Sequence, residues 1–529
     1  MRGFLTCSIG VTCAAALTLP PAVLNAPSAA AAPADRATTT ALPGSTQSLP
    51  LAPRTRERVL GRAPEQGAYS ADVRHFSLVG VVWDNPGTEL HGRVQVRTRS
   101  AATGDWSGWQ DVDTHNADHG ADPDTAEAAA GRVHGATAPL WVGDSDGVDV
   151  RVRADGDADT DAGDDTDAAF DTDVASGTDV ASGTDVASGT DVASSTDVAS
   201  GTDVASGTDV ASGTDVASGT DADSGTDVAS GADAGDDSAP RGSGPGSGVG
   251  RDLLPAGLRL ELVDPGEEDP HQGPPADSPR TDTAADAAAV VNAGLVSFAA
   301  TEIPELSRED TERELRQLSG ADAPLAKPYI GPRPRIVTRH GWGADESLRE
   351  KGFVYTGKIK AAFVHHTASG NGYRCSEAPS VIRSIYRYHV VSMGWRDIGY
   401  NFLVDKCGTI YEGRAGGVAK AVRGAHTLGF NNHSMGIAVI GTYGSHKPSA
   451  AAVTAVARLT AWKLGLFGAN PKGKTYLKSG GGNLYPKGKN VRLNVISGHR
   501  DGYATECPGA KLYAKLGSTR TSSAHLQGR

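Results

Sequence analysis

The chain has 529 residues, 38% of them hydrophobic, with 5 Cys and a net charge of −13; this admits two or three domains and excludes a chain that is basic throughout. The charge is divided sharply: from Pro324 onward 30 Lys and Arg face 9 Asp and Glu, or +21, which leaves 20 against 54, or −34, for residues 1–323. Beyond the N-terminal apolar run no stretch reaches the 18 or so apolar residues of a membrane-spanning helix, so the mature protein is expected to be soluble or wall-associated.

The N-terminus reads Arg2, then "FLTCSIGVTCAAALTL", then "PSAAAAPADR" with small residues at a cleavage position. That pattern is an export signal over residues 1–32, removed on maturation, so the protein is expected to be secreted, extracellular or wall-associated. Cys7 and Cys13 go with the signal. Cys375, Cys407 and Cys507 remain, an odd number for an oxidising compartment, so two can pair and one has another task. In an exported chain the basic C-terminal unit either meets anionic wall polymers, rather than nucleic acid, or serves solubility alone.

Residues 66–155 and 253–265 read as one all-β domain, sandwich-like and separate from the rest. "FSLVGVVW", "GRVQVRTRS", "GVDVRVRAD" and "GLRLELVD" alternate apolar and polar residues, the mark of strands with one wet face. Trp83, Trp106, Trp109 and Trp141 fall here and read as core, with a sugar-stacking surface as the alternative. Residues 156–252 are an acidic low-complexity insertion holding ten hexads close to "TDVASG" from Thr172 to Gly231. One Val per hexad cannot offset chain entropy, so a disordered stalk is expected, with a thin β-helix as its rival. Residues 266–327, rich in Ala, Asp and Pro, read as a linker with one polar helix at "SREDTERELRQL".

Over residues 328–517 helical and strand signals alternate, which predicts an α/β unit, a mixed β-sheet flanked by helices; 518–529 read as a tail. "IKAAFVHH" is a strand ending in two His. "SEAPSVIRSIYRYHVV" is a helix capped by Ser376, and "LNVISGH" a last strand. His365 and His499 thus end strands, with Cys507 in the loop beyond. Strand ends on one edge of such a sheet converge on a crevice. Two imidazoles and a thiolate suit zinc with one position open, and Cys375 and Cys407 are then left to bridge. The spacing alone leaves a free thiol and ordinary packed His equally open, and neighbours on a strand face opposite ways, so one of His365 and His366 at most serves a shared site.

"RIVTRHGWGA", "AAFVHHTAS", "GWRDIGYNFLVDKCGTIYEGRAGG", "GAHTLGFNNHSMGIAVIGTY" and "ISGHRDGYATECPGAKLY" occur in that order over residues 334–515. This stretch resembles the peptidoglycan recognition protein and zinc N-acetylmuramoyl-L-alanine amidase family, which includes phage T7-type lysozymes. The resemblance implies Zn2+ held by His365, His499 and Cys507, with Tyr400 and Thr505 as catalytic residues and His366 structural. It implies a groove lined by His389, Trp395, His426 and Asn431, and Gly394-Trp395 hints at diaminopimelate-type peptidoglycan. The implied reaction cleaves the amide between N-acetylmuramic acid and L-alanine. A non-catalytic peptidoglycan-binding receptor or adhesin is the alternative; a third reading is an amidase held latent by its acidic N-terminal half.

Overall fold

The computed structural model describes residues 44–54, 65–155, 254–267, 284–319 and 328–529; the export signal and the hexad repeats lie outside the described residues. Among the described residues of the first domain, nine strands form one hydrogen-bonded sheet. They are β1 Ser45–Pro50, β2 Ala52–Pro53, β3 Glu65–Ser70, β4 Phe76–Trp83, β5 Gly92–Ser100, β6 Gln110–Val112, β7 Gly135–Ala136, β8 Leu140–Ala154 and β9 Arg259–Asp264. The order is β1-β9-β4-β8-β3-β2, with β5 and β6 continuing from β8 and β7 on β4. β4 lies between β8 and β9, so the chain on either side of the acidic insertion does share one sheet. The domain begins earlier than residue 66. β1 pairs with β9 along its whole length, from Ser45↔Asp264 to Pro50↔Arg259. "STQSLP" carries a single large apolar residue, too little to mark an edge strand in sequence.

β4 also departs from the one-wet-face expectation, since all eight of its residues are buried. Val79, Val81 and Trp83 fill the core of the sheet, while Leu78 and Val82 join a second cluster with Val381, Ile385 and Tyr388 of the C-terminal unit. The face expected to be wet is therefore a domain interface. Of the four Trp, Trp83 is core, whereas Trp106 and Trp109 are half-buried under the guanidinium of Arg97.

The C-terminal unit is the expected mixed sheet. Its strands are β10 Glu302–Ile303, β11 Ile336–Val337, β12 Ala361–His366, β13 Phe402–Val404, β14 Ile410–Glu412 and β15 Ser434–Val439. β16 Lys474–Lys478 and β17 Asn490–Asn494 form a separate hairpin, and β18 Ile496–Gly498 returns to the sheet. The sheet order is β10-β11-β14-β13-β15-β12-β18, with β12 parallel to both β15 and β18. Period-two alternation sorts β12 cleanly. Ala362 and Val364 pack with Val456, Leu459 and Trp462 of the helix Ala450–Leu466. Ala361 and Phe363 face the other way, onto Phe430 and onto Leu477, Val491 and Leu493 of the β16–β17 hairpin, and His365 shares that face.

The helix Ala378–Arg387 does not start at Ser376. Residues Cys375–Glu377 form a 3-10 turn, Glu377 takes the cap position, and Pro379 sits in the first helical turn, where its missing N–H has no partner to lose. It ends in a π-turn, Tyr388–Ser392, and a disulfide between Cys375 and Cys407 ties its start to the turn between β13 and β14. Two further boundaries differ from the sequence reading. Within 266–327, Asn292 donates to both carboxylate oxygens of Glu412 at 3.0 Å and β10 extends the sheet, so residues 284–319 belong to the unit rather than to a linker. The supposed tail is the end of the helix Leu516–Leu526; Gln527 is fully buried and donates to the Ala461 carbonyl.

Candidate metal centre

β12 and β18 are neighbours in parallel register, Val364 opposite Gly498, so His365 and His499 leave the sheet side by side with ring centroids 4.5 Å apart. Gly498 N–H donates to Asp501 at 2.9 Å, which turns the chain sharply after β18. Cys507 is held by its N–H on Thr505 Oγ1 at 3.1 Å and by its carbonyl under the Arg500 N–H at 3.0 Å. Its Sγ lies 3.7 Å from His365 Nδ1. His365 Nε2 is taken up by His426 and Thr427 at 3.3 and 3.4 Å, which leaves Nδ1 as the nitrogen turned toward the sulfur. His366 points to the opposite face, accepts from the Tyr443 N–H at 3.3 Å, and is held neutral by burial, its pKa pushed down to about 4.

The structure adds a fourth group. His119 comes from the first domain, and one donor atom each from His119, His365, His499 and Cys507 lie within 4.8 Å of one another. Asp118 Oδ1 stands 2.8 Å from His119 Nδ1 and Oδ2 stands 3.6 Å from His499 Nδ1. Burial resists ionisation of Asp118, but hydrogen bonds from His119 and Thr505 favour the carboxylate, and the group is held below its usual range. The 2.8 Å contact directs the His119 Nδ1–H at the Asp118 oxygen, so Nε2 is the nitrogen left to face a cation.

The donor chemistry fits a borderline-soft cation. His119 Nε2 and both ring nitrogens of His499 are buried and have no hydrogen-bond partner among the described residues. Orphaned buried nitrogens of this kind are costly unless a bound cation satisfies them. Burial lowers His365 well below, and His499 to about 3 from, the ordinary histidine value, which keeps both imidazoles unprotonated. The Cys507 thiol is pushed up by burial and by Asp118, a penalty that a divalent cation reverses. Three imidazoles and one thiolate match the donor preference of zinc.

The remaining residues singled out from sequence surround this cluster. Tyr400 lies with its ring 5.5 Å from His365 and 5.8 Å from His119; burial raises its pKa well above the phenol value. Thr505 stands beside Cys507, half-buried. His389, on the π-turn, stacks on Trp395 at 4.6 Å and accepts from the Gly399 N–H through Nδ1, so its proton sits on Nε2. His426 rests over Gly436, where a Cβ would come within 2.4 Å of its ring. Asn431 Oδ1 accepts from the His426 and Thr427 N–H groups, while its Nδ2 donates to Gly120 and Asp122 of the first domain. Sequence reasoning missed Asp118, His119 and Asp122. The only signal was "ADHGAD", a His flanked by acids in a segment that fits neither helix nor strand.

Residues 355–510 match the family model described as N-acetylmuramoyl-L-alanine amidase, and residues 30–175 match one described as Rv3811 N-terminal galactose-binding domain-like. The chain is 30% identical over 184 residues to peptidoglycan-recognition protein SC2 of Drosophila simulans, spanning 34% of this chain and 84% of that one. It is 30% identical over 203 residues to peptidoglycan-recognition protein 1 of Holotrichia diomphalia, 38% of this chain and 86% of that one. The solved structure of wild-type Drosophila PGRP-LB aligns at 27% identity over 35% of this chain and 92% of its own, with a TM-score of 0.28.

Proposed function

Because the chain belongs to the peptidoglycan recognition protein and N-acetylmuramoyl-L-alanine amidase family, we propose that it is an exported zinc amidase that hydrolyses the bond between N-acetylmuramic acid and L-alanine of the stem peptide. The observation that carries this reading is the buried set of His365, His499 and Cys507, with the ring nitrogens of His499 orphaned. A groove that only bound its ligand would have no use for a buried thiol among unpartnered imidazoles.

Zinc held by His365, His499 and Cys507 would supply Lewis acidity, making a water nucleophilic near neutral pH and polarising the lactyl carbonyl. The protein's own groups do the rest. Tyr400 is protonated at every physiological pH because burial disfavours the phenolate, so it acts as a hydrogen-bond donor to the developing oxyanion rather than as a base. Thr505 offers a second hydroxyl from the loop that carries Cys507. His389, Trp395, His426 and Asn431 line the substrate path, and Gly394-Trp395 favours a diaminopimelate-type stem. The excess of Lys and Arg after Pro324 supports attraction to anionic wall polymers.

The test uses the full chain. Metal analysis should find one zinc per chain, and prolonged incubation with purified peptidoglycan at high enzyme excess should release peptides with a free L-alanine amine; Cys507→Ala should abolish both. Wall binding without zinc and without release would assign the protein to the receptor class instead.

A further inference from the structure

The connection between β6 and β7, residues 113–134, has no helix or strand of its own and leaves the first domain to lie in the groove of the second. Irregular connections of this length in a compact domain are usually functional. We infer that this loop is a built-in occupant of the substrate groove, with His119 as fourth metal donor, so that the chain as folded is latent and acts only when the loop moves out. The inference rests on the amidase reading.

The contacts are those of a made-to-measure plug. Asp122 accepts from the N–H of Gly429 at 2.9 Å and from Asn431 Nδ2 at 2.7 Å, and Gly120 O accepts from the same amide at 2.8 Å. Glu127 forms a two-pronged ion pair with Arg414 at 2.8 and 2.9 Å, each partner only 6% exposed. A buried ion pair recovers its desolvation only when the geometry is good and fixed, so this docking is specific rather than a loose rest of acid on base. Farther along, Arg132 Nε donates to the Gly394 carbonyl and His134 N–H to that of Met393. Trp395 and Asn431, expected to line a groove, are 3% and 1% exposed, with Gly120 of the loop against the Trp395 ring and Gly120 and Asp122 on the Asn431 amide. The loop places carboxylates on donors that an acidic stem peptide would otherwise meet.

Three protein donors leave a fourth tetrahedral position for water, whereas four donors make a closed, structural site. Asp118 fixes the His119 tautomer that turns a lone pair on Nε2, and that atom is buried without a protein partner. The loop can leave while the domains stay together, because the interface is held elsewhere. Tyr388 donates to the Thr137 carbonyl at 3.1 Å, Ser392 to Glu261 at 3.0 Å, and the Trp141 N–H to the Ser369 carbonyl at 3.1 Å. The crest of the loop, Pro123, Asp124 and Ala126, is exposed, and an ion pair between Asp124 and Lys487 holds it down.

The experiment compares the full chain with His119→Ala and, leaving the donor set intact, with Asp122→Asn/Glu127→Gln. In the cobalt-substituted proteins, azide should leave the wild-type visible spectrum unchanged and shift that of His119→Ala, whose fourth position is open. Removing the fourth donor should weaken zinc retention against a chelator at least about tenfold. Peptide release should rise about tenfold or more in both variants, as expected when a minor open state becomes the major one. If wild-type and His119→Ala cobalt spectra respond alike to azide and release is equal in all three proteins, the plug is disproved while the amidase stands. If none of the three releases peptides, the amidase reading itself fails.

Discussion

His366 and His389 are buried and held neutral, with pKa values pushed by burial to about 4 and about 3 from an ordinary 6.5. Above pH 6.5 neither group distinguishes the folded from the unfolded chain. As pH falls below 6.5 the unfolded chain takes up protons that the folded chain refuses, so stability is lost progressively down to about pH 4 and below. The metal-free protein should therefore show a urea midpoint that falls steeply with acidification across this window. His366→Asn should show a shallower slope; an identical slope would mean that His366 is protonated in the folded state. At this scale the motif residues were legible because family stretches carry them. His119 was not, because a lone His among Asp and Gly in another domain has no periodicity and no spacing relation to His365.

Individual elements carry two further expectations. The helix Ala450–Leu466 carries Lys463 in its last turn, whose buried ammonium donates to the carbonyls of Val418 and Lys420 and so pins the chain that follows β14. Lys463→Met leaves both carbonyls without that partner and should destabilise the protein by about 2–4 kcal/mol, read as a lower denaturant midpoint at constant m-value. On β4, a Cβ at Gly80 would stand 2.3 Å from the Tyr388 hydroxyl, which is itself held by Thr137. Gly80→Ala should therefore destabilise by about 1–3 kcal/mol through the interface, whereas Gly87→Ala, at an exposed turn of the same domain, should not. β4, β5, β12 and β15 could be read from alternating or continuous apolar runs. β1 and β10 could not, because each borrows its place from a partner strand: "STQSLP" and "EI" carry almost no pattern of their own. The π-turn at Tyr388–Ser392 likewise looked like plain helix, since its apolar spacing continues that of the preceding turns.

For the whole molecule, composition foresaw an acidic first half and a basic second half but not how they meet. The divided charge suggested diffuse attraction; the structure instead joins the two through a shared apolar cluster and through Asp122 and Glu127, each buried on its own partner. A contact of this kind responds weakly to salt, because buried pairs are little screened. Latency should accordingly persist when ionic strength is raised, measured as unchanged peptide release from peptidoglycan by the wild-type chain at low and high salt. A large rise with salt would return the explanation to diffuse charge. Wet-face patterning in "FSLVGVVW" misled for the same reason: alternation reports that a face is covered, but not whether its own domain or a neighbour covers it.

The most direct test of the central claim is mass analysis of soluble fragments from purified peptidoglycan after incubation with the full chain carrying Asp122→Asn/Glu127→Gln, with and without Cys507→Ala in the same background. Stem peptides bearing a free L-alanine amine are expected, zinc-dependent and absent once Cys507 is gone. Glycan and peptide left joined in both samples, with the protein merely bound to the wall, would contradict that claim.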